Sequence, residues 1–198
     1  MKEDIIYDDI AVLIPAYNEA GRVGEVVKKA GEFVDRVLVV DDGSVDDTAA
    51  EAERAGAEVL RHPRNRGKGA ALQIGFRRLL ENNTRAVIVL DADGQHDPEE
   101  IESFLRAAEE TRCDIIIGDR MADAGTMPRI RYVTNRFMSS VLSGLCRQRV
   151  PDSQCGYRLL SREVLGRLRL KTSNYDTESE MLIEAARSSF RIGSVPIR

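Results

Sequence analysis

Residues 87–98 read Val87-Ile88-Val89-Leu90-Asp91-Ala92-Asp93-Gly94-Gln95-His96-Asp97-Pro98. The four apolar residues Val87 to Leu90 predict a strand buried on both faces, as strands of a parallel sheet are. Asp91, Ala92 and Asp93 end that strand, and Gly94 lets the chain turn. Asp97-Pro98-Glu99-Glu100 then reads as a helix start, with Asp97 as N-cap, Pro98 at the first helical position and acids in the first turn. Asp91, Asp93 and Gln95 are thereby placed at the C-terminal end of a central strand, where open α/β sheets bind ligands. At a turning strand end one of the two carboxylates can hold a hard divalent cation while the other reaches a ligand beside it. Gln95 adds a neutral oxygen, and Mg²⁺ or Mn²⁺ favours such ligands, commonly shared with substrate phosphates. Two solvated loop acids would give the same local pattern, so the neighbouring strand ends have to decide.

Those ends agree. Ile10 to Ile14 is a buried strand stopped by Pro15, with Tyr17, Asn18 and Glu19 after it. A helical spacing of Val23, Val26, Val27 and Ala30 follows, predicting a helix from about Glu19 to Val34. Arg36 to Val40 is a second strand, ending in Asp41-Asp42-Gly43-Ser44. Asp46, Asp47 and Thr48 open a helix that stops at Gly56. A short strand over Ala57 to Leu60 leads into the basic loop Arg61 to Gly69, and Ala70 to Leu80 is a helix with an apolar face. This alternation of strand and helix predicts a parallel sheet with right-handed crossovers. Its three polar turns, Pro15 to Glu19, Asp41 to Ser44 and Asp91 to Gln95, would share one edge and build a cleft there. No GxGxxG follows the first strand, and Gly67-Lys68-Gly69 lacks the rest of a phosphate-binding P-loop.

Composition bounds the setting. The chain has 198 residues, room for one good-sized domain, with 42% hydrophobic and 31% charged residues. A net charge of −4 argues against a nucleic-acid-binding protein. No apolar run reaches the roughly 20 residues of a membrane span, and Met1 to Asp9 lacks the apolar core of a signal peptide. Cys113, Cys146 and Cys155 are scattered, without a CxxC pair, which fits a reducing compartment and ordinary core roles. The expected location is cytoplasmic.

Four stretches in order, Ile14-Pro-Ala-Tyr-Asn-Glu19, Val39-Val-Asp-Asp-Gly-Ser44, Asn65-Arg-Gly-Lys-Gly69 and Asp91-Ala-Asp-Gly-Gln95, resemble the consecutive signatures of the family 2 glycosyltransferases. Within them the chain is similar to the dolichol-phosphate mannosyltransferase and polyprenyl-phosphate glycosyltransferase branch. The resemblance covers Ile10 to Arg198. It implies the GT-A fold, an α/β architecture with a mostly parallel central sheet flanked by helices, filling residues 1–198 as one domain. It also implies site roles. Pro15, Tyr17 and Glu19 would border the base and ribose of a nucleotide-sugar, and Asp42 would accept a hydrogen from the base. Asp91 and the Ala92 backbone would touch ribose or sugar, while Asp93 and Gln95 would hold Mg²⁺ or Mn²⁺ on the diphosphate. Arg66 and Lys68 would add positive charge near the phosphates, unless they belong to a solvated basic turn. Arg120, after the strand Asp114 to Gly118, would face the diphosphate; its alternative is an ion pair with Asp119 or Asp123.

The second half changes character. Between Met127 and Val150, five arginines alternate with apolar residues at helical spacing, and no acid occurs between Ala124 and Pro151. One or two basic amphipathic helices are expected, either covering the sheet or facing an anionic membrane surface or lipid phosphate. By resemblance, Arg131 would grip the acceptor phosphate. Asp152-Ser-Gln-Cys-Gly-Tyr-Arg158 is similar to an Asp-x-x-x-Gly-Phe-Arg element of the same branch, whose Asp and Arg organise the acceptor side; a buried Asp152–Arg158 pair is the structural alternative. Thr177 followed by Glu180 has the spacing of a capping box. The resemblance makes Glu178 or Glu180 a candidate catalytic base for a hydroxyl acceptor, whereas an anionic lipid phosphate needs none.

The expected activity is metal-dependent, inverting transfer of a sugar from a UDP- or GDP-sugar, preferably to polyprenyl or dolichyl phosphate, at the inner face of a membrane. A soluble sugar or hydroxyl acceptor is the second reading, and a nucleotide-sugar-binding module without turnover the third. A nucleotidyltransferase would need a glycine-rich basic loop after the first strand, which Pro15 to Glu19 is not. Pairing of the basic stretch with a second copy is a further expectation. Relatives in the family usually continue past the position of Arg198, so a C-terminal extension is expected to be missing from these 198 residues.

Overall fold

The computed structural model describes residues 9–121, 128–168, 170 and 177–197. Seven strands form one sheet in the order β3-β2-β1-β4-β6-β5-β7. They are β1 (Ile10–Ala16), β2 (Arg36–Asp41), β3 (Glu58–Arg61), β4 (Ala86–Val89), β5 (Ile115–Asp119), β6 (Arg158–Ser161) and β7 (Ile192–Pro196). All pair in parallel except β6, which runs antiparallel to both β4 and β5. The expected parallel alternation therefore holds from β1 through β5, with β6 inserted later between β4 and β5. Strand β1 carries no exposed residue, and Val12, Leu13, Ile14, Leu38, Val39, Ile88 and Ile116 are wholly buried. Burial on both faces is what those continuous apolar runs require.

Helices α1 (Val23–Ala30), α2 (Thr48–Arg54), α3 (Lys68–Leu80), α4 (Ile101–Thr111), α5 (Arg129–Cys146), α6 (Arg162–Arg167) and α7 (Thr177–Arg187) flank the sheet. Helix α1 is shorter than the spacing predicts, because Glu19 to Arg22 form a turn with Gly21 at φ 84° and the helix yields to a turn after Ala30. Helix α2 stops where Gly56 takes φ 101°. Asp97 caps as expected, its carboxylate accepting from Glu99 N, although Pro98–Glu100 is a 3₁₀ turn before α4 proper. The basic stretch forms one helix, α5, of 18 residues. Helix α7 begins at Thr177, the expected N-cap; Asp176 before it, like Asp123, Met127 and Arg198, lies outside the described residues. Cys146 and Cys155 are buried free thiols and Cys113 is half-buried, in keeping with core roles.

The topology positions the site. From β1 the chain goes outward to β2 and β3, then returns to lay β4 on the other side of β1. The two turns after β1 and β4 thus diverge from a topological switch point, the place where such sheets leave a crevice. The registers Ala16↔Asp41 and Leu13↔Val89 put the ends of β1, β2 and β4 on one edge.

Candidate active site

A cavity of about 430 Å³ opens at that edge. Pro15, Tyr17 and Glu19 line it from β1, Asp42 from β2, Asn65, Gly67 and Lys68 from the loop entering α3, and Asp91, Ala92 and Asp93 from β4. Of the donor-side residues expected from the sequence, Arg66, Gln95 and Arg120 are not in this lining. The volume falls within the roughly 300–1,000 Å³ of small-molecule sites.

The turns are tied to one another by hydrogen bonds. Asn18 N donates to Ser44 Oγ at 2.9 Å, Val45 N to Asn18 Oδ1 at 3.0 Å, and Glu19 N to Thr48 Oγ1 at 2.8 Å. Asn18 reaches this arrangement with φ 55°, a left-handed conformation that asparagine tolerates. Asp42 is buried and holds the basic loop: its carboxylate accepts from Arg66 N at 3.0 Å and Gly67 N at 2.7 Å, and lies 2.6 Å from His62 Nδ1. Asp42 thus shapes the loop that presents Asn65, Gly67 and Lys68, beyond the base contact expected of it. Gly43 sits at φ 77° directly on this loop; a Cβ there would stand 2.4 Å from the Arg64 carbonyl carbon.

Lys68 is the first residue of α3, two positions earlier than the expected helix start. Its Nζ lies 2.7 Å from Asp91 Oδ1 and 2.9 Å from Glu178 Oε1. Burial pushes its ammonium pKa down, but the two carboxylates outweigh that and hold it above the usual lysine value. Gly156 closes the arrangement: a Cβ there would stand 2.4 Å from Asp91 Oδ2 and 3.0 Å from Lys68 Nζ, so any side chain would displace the Asp91 carboxylate. Glu178, at the start of α7, is thereby bound to a lysine, and its backbone carbonyl accepts from Arg158 Nη1 at 2.6 Å. Glu180 follows on the same helix, half-buried.

Negative charge gathers at the mouth. Burial raises the pKa of the Glu19 carboxyl, Arg22 at 3.2 Å lowers it, and Asp93, Asp46 and Asp91 raise it further. Asp93 Oδ1 accepts from Gln95 N at 2.9 Å, so the turn holds both residues together, with Gln95 exposed. His96 is buried, its ring 5.3 Å from that of Tyr157, and burial lowers its pKa. Among the described residues no three histidine, cysteine or carboxylate side chains converge on one point. A cation here would take Asp93 and Gln95 and complete its shell from a ligand and water, as Mg²⁺ commonly does.

The model of the glycosyl transferase family 2 matches residues 11–169. The chain belongs to this family. As a family 2 glycosyltransferase it is 30% identical to the UDP-N-acetylglucosamine–dolichyl-phosphate N-acetylglucosaminyltransferase of Methanococcus voltae, over 100% of this chain and 86% of that one. It is 31% identical to the polyprenol monophosphomannose synthase of Mycolicibacterium smegmatis, over 94% and 75%. Its fold is that of glucosyl-3-phosphoglycerate synthase from Mycobacterium tuberculosis, solved in complex with Mn²⁺, uridine diphosphate and glucosyl-3-phosphoglycerate. That structure superposes with a TM-score of 0.76 at 23% identity over 96% of this chain and 70% of that one. The glycosyltransferase is thus a GT-A protein, with the seven-stranded, mostly parallel sheet of that fold.

The partners of Arg120, Asp152 and Arg158 in the glycosyltransferase differ from the ion pairs that the sequence offered as structural alternatives. Arg120 pairs with Asp152, Nε to Oδ2 at 2.8 Å and Nη2 to Oδ1 at 3.1 Å, rather than with Asp119, and Asp123 lies outside the described residues. Asp152 therefore does not pair with Arg158. The Arg158 guanidinium is buried and donates instead to the carbonyls of Cys155, Ser153 and Glu178. Burial lowers its pKa, yet three carbonyls satisfy it, and it stitches the 152–158 loop to α7. Arg131 stands exposed on α5. Asn135, which sequence reasoning missed, donates from α5 to Asp152 Oδ1 at 2.8 Å. Its one signal was a polar residue at a buried helical position.

Proposed function

We propose that this glycosyltransferase transfers a sugar, with inversion, from a nucleoside-diphosphate sugar to a polyprenyl phosphate. The cavity at the switch point carries the reading. It is lined by Pro15 and Tyr17, apolar and aromatic surface of the kind a base needs, by the carboxylates of Glu19, Asp42, Asp91 and Asp93, and by Lys68, paired with Asp91. The named lipid-phosphate relatives and the UDP complex of the structural neighbour support the two substrates.

The donor set fits a divalent cation. Asp93 and Gln95 are hard oxygen ligands on one turn, and the excess negative charge of Glu19, Asp91 and Asp93 favours a cation beside them. Mg²⁺ or Mn²⁺ bound there supplies charge neutralisation for the departing diphosphate. The chain's own residues position the rest. Pro15 and Tyr17 seat the base, Asp91 and the Ala92 backbone meet ribose or sugar, and Lys68 fixes the Asp91 carboxylate. The acceptor oxygen bonds C1 from the face opposite the diphosphate while the C1–O bond breaks and its electrons leave with the nucleoside diphosphate. A phosphate acceptor is already an anion and needs no base, which agrees with Glu178 being engaged by Lys68. Arg131 receives the acceptor phosphate, and Arg120, Asp152 and Arg158 hold the loop that shapes that side.

Two measurements test this. Calorimetric titration of UDP and of GDP, with and without Mn²⁺, should show one nucleotide binding only with metal, and Asp93→Ala should abolish it. Sugar transfer to detergent-dispersed polyprenyl phosphate should then follow. Binding of neither nucleotide, or transfer only to soluble hydroxyl acceptors, sinks the reading.

A further inference from the structure

Helix α5 buries two polar side chains, Asn135 and Ser139, one turn apart on its inner face. A buried amide costs free energy unless its polar atoms find partners, and apolar residues would pack the helix without that cost. Both ends of the Asn135 amide are bonded. Its Oδ1 accepts from Ser139 Oγ at 3.2 Å, and Ser139 Oγ in turn accepts from Ser153 N at 2.9 Å. The NH2 end is thereby turned to Asp152, where Nδ2 donates to Oδ1 at 2.8 Å. The same oxygen accepts from Arg120 Nη2 at 3.1 Å and from Gln154 N at 3.2 Å, and Oδ2 accepts from Arg120 Nε at 2.8 Å. Asp152 is wholly buried, and these donors fill the roughly four acceptor positions of a carboxylate, so it has none to offer a substrate. Arg120 differs. Its side chain is 28% exposed. The guanidinium is a rigid fork of N–H donors, and Asp152 takes only its Nε–Nη2 edge. Among the described residues nothing accepts from Nη1. Burial works against the Arg120 charge, but Asp152 outweighs it, with smaller contributions from Cys155 and Asp91, and holds its pKa above the usual value. Asp91 lines the donor cavity, so the guanidinium stands within electrostatic reach of that cavity.

We infer that Asn135 is a positioning residue for sugar transfer: through Asp152 it fixes the edge of the Arg120 guanidinium that meets a phosphate group at the reacting centre. The edge left over, Nη1 with the outer hydrogen of Nη2, is a pair of parallel donors of the kind that matches two phosphate oxygens. Without the Asn135 donor, Asp152 Oδ1 loses one of the bonds that hold its carboxylate plane, and the Arg120 fork turns with that plane. Arg131 gives the relay a second purpose. It stands one turn before Asn135 on the same ridge of α5. The relay therefore keeps a constant spacing between the arginine proposed for the acceptor phosphate and Arg120 just after β5. The phosphate that meets Arg120 is the departing diphosphate or the acceptor phosphate, one chemistry from two sources. The inference rests on the sugar-transfer reading for its purpose, and the measurements below separate the two.

The experiment compares the wild type, Asn135→Leu, Arg120→Lys and the double variant. Leucine keeps the branched shape of asparagine without its donor. The first readout needs no substrate. The Arg120 Nε–H resonance is observed by NMR in isotope-labelled protein and identified by its disappearance in Arg120→Lys. It should be sharp in the wild type, protected by Asp152, and broadened by hydrogen exchange in Asn135→Leu. Circular dichroism and thermal unfolding confirm a folded variant; should it misfold, Asn135→Ala serves in its place. The second readout is on the phosphates. Calorimetry with UDP and GDP in Mn²⁺ reads the diphosphate, and KM for detergent-dispersed polyprenyl phosphate reads the acceptor. One of the two should weaken by about tenfold in Asn135→Leu. In the Arg120→Lys background the same substitution should cost less than about twofold, since the fork it positions is already gone. Weakened nucleotide binding assigns the free edge to the diphosphate; a raised KM with nucleotide affinity unchanged assigns it to the acceptor phosphate. An unchanged resonance, both affinities unchanged in a folded variant, or a loss that recurs in full in the Arg120→Lys background overturns the inference. A wild type that transfers no sugar to polyprenyl phosphate overturns the acceptor reading alone, and nucleotide affinity then decides the role of Asn135.

Discussion

Lys68 links two parts of the chain that local sequence does not connect, Asp91 after β4 and Glu178 at the start of α7. Its positive charge was legible from the Gly67-Lys68-Gly69 loop; its partners were not, because they are chosen by the packing of α3 on β1 and β2, which carries Lys68 to the turn after β4 and to the start of α7. Its raised pKa keeps the bridge intact until the pH climbs past the ordinary lysine range of about 10.4, so the contact is constant under working conditions. Lys68→Met should leave two partly buried carboxylates facing each other. We expect a loss of about 2–3 kcal/mol in urea unfolding, somewhat below a fully buried pair because the side chain keeps some solvent contact. Donor-nucleotide affinity should fall by about tenfold or more, since Asp91 is freed from its position. Gly156→Ala tests the same position without touching charge. Its new methyl group would press on the Asp91 carboxylate, so calorimetry should show weakened nucleotide binding in a protein whose far-ultraviolet spectrum is unchanged. A near-native affinity in both variants would mean that the Asp91 geometry is irrelevant to the donor.

Among the elements, β1 to β4 were readable because each motif sits at the end of the strand that presents it, and apolar runs and turn residues are local signals. The antiparallel β6 was not, because nothing in the alternation of strand and helix announces an insertion between β4 and β5. That insertion sets the ion pairing. It draws the Arg158 guanidinium inward to backbone carbonyls and leaves Asp152 to Arg120 at the end of β5 and to Asn135 on α5. The pairing has a pH signature. Burial alone raises the pKa of the Asp152 carboxyl, but Arg120 and Asn135 outweigh it and hold it below the usual carboxylate range. A depressed folded pKa contributes stability that is complete above the unfolded value of about 3.9 and is lost as pH falls through the folded value. Asp152→Asn should therefore cost about 2 kcal/mol at neutral pH, less than a fully buried pair since Arg120 is partly exposed. For a chain of this size that lowers Tm by about 4–8 °C. Thermal scans from neutral pH to about pH 3 should show the gap between wild type and variant closing toward the acid end. A gap that is constant with pH would mean the carboxylate's charge is not what joins α5 to β5.

In the whole molecule, the donor cavity lies between the β1 and β4 turns, while Lys68 ties its floor to α7 and Arg162 ties α6 to the carbonyls of Leu80, Asn82 and Thr84. The two sides of the cleft are thus one cooperative body, and a ligand held by the first should stabilise the second. Binding only to the folded state adds about 2.7 kcal/mol at a hundred times Kd. For a chain of this size that is a rise in Tm of about 5–11 °C in a single transition. The nucleotide identified by calorimetry should give that rise with Mn²⁺ and lose most of it when EDTA replaces the metal. Asp93→Ala should show no rise in either condition, because the carboxylate that would share the cation with the diphosphate is gone. Lys68→Met should give a smaller rise and a broader transition, since the donor turn would no longer be fastened to α7. A full rise in EDTA would remove the cation from the donor site while leaving the nucleotide there. Two separated transitions in the wild type would break the premise that Lys68 and Arg162 join the sides of the cleft into one unit.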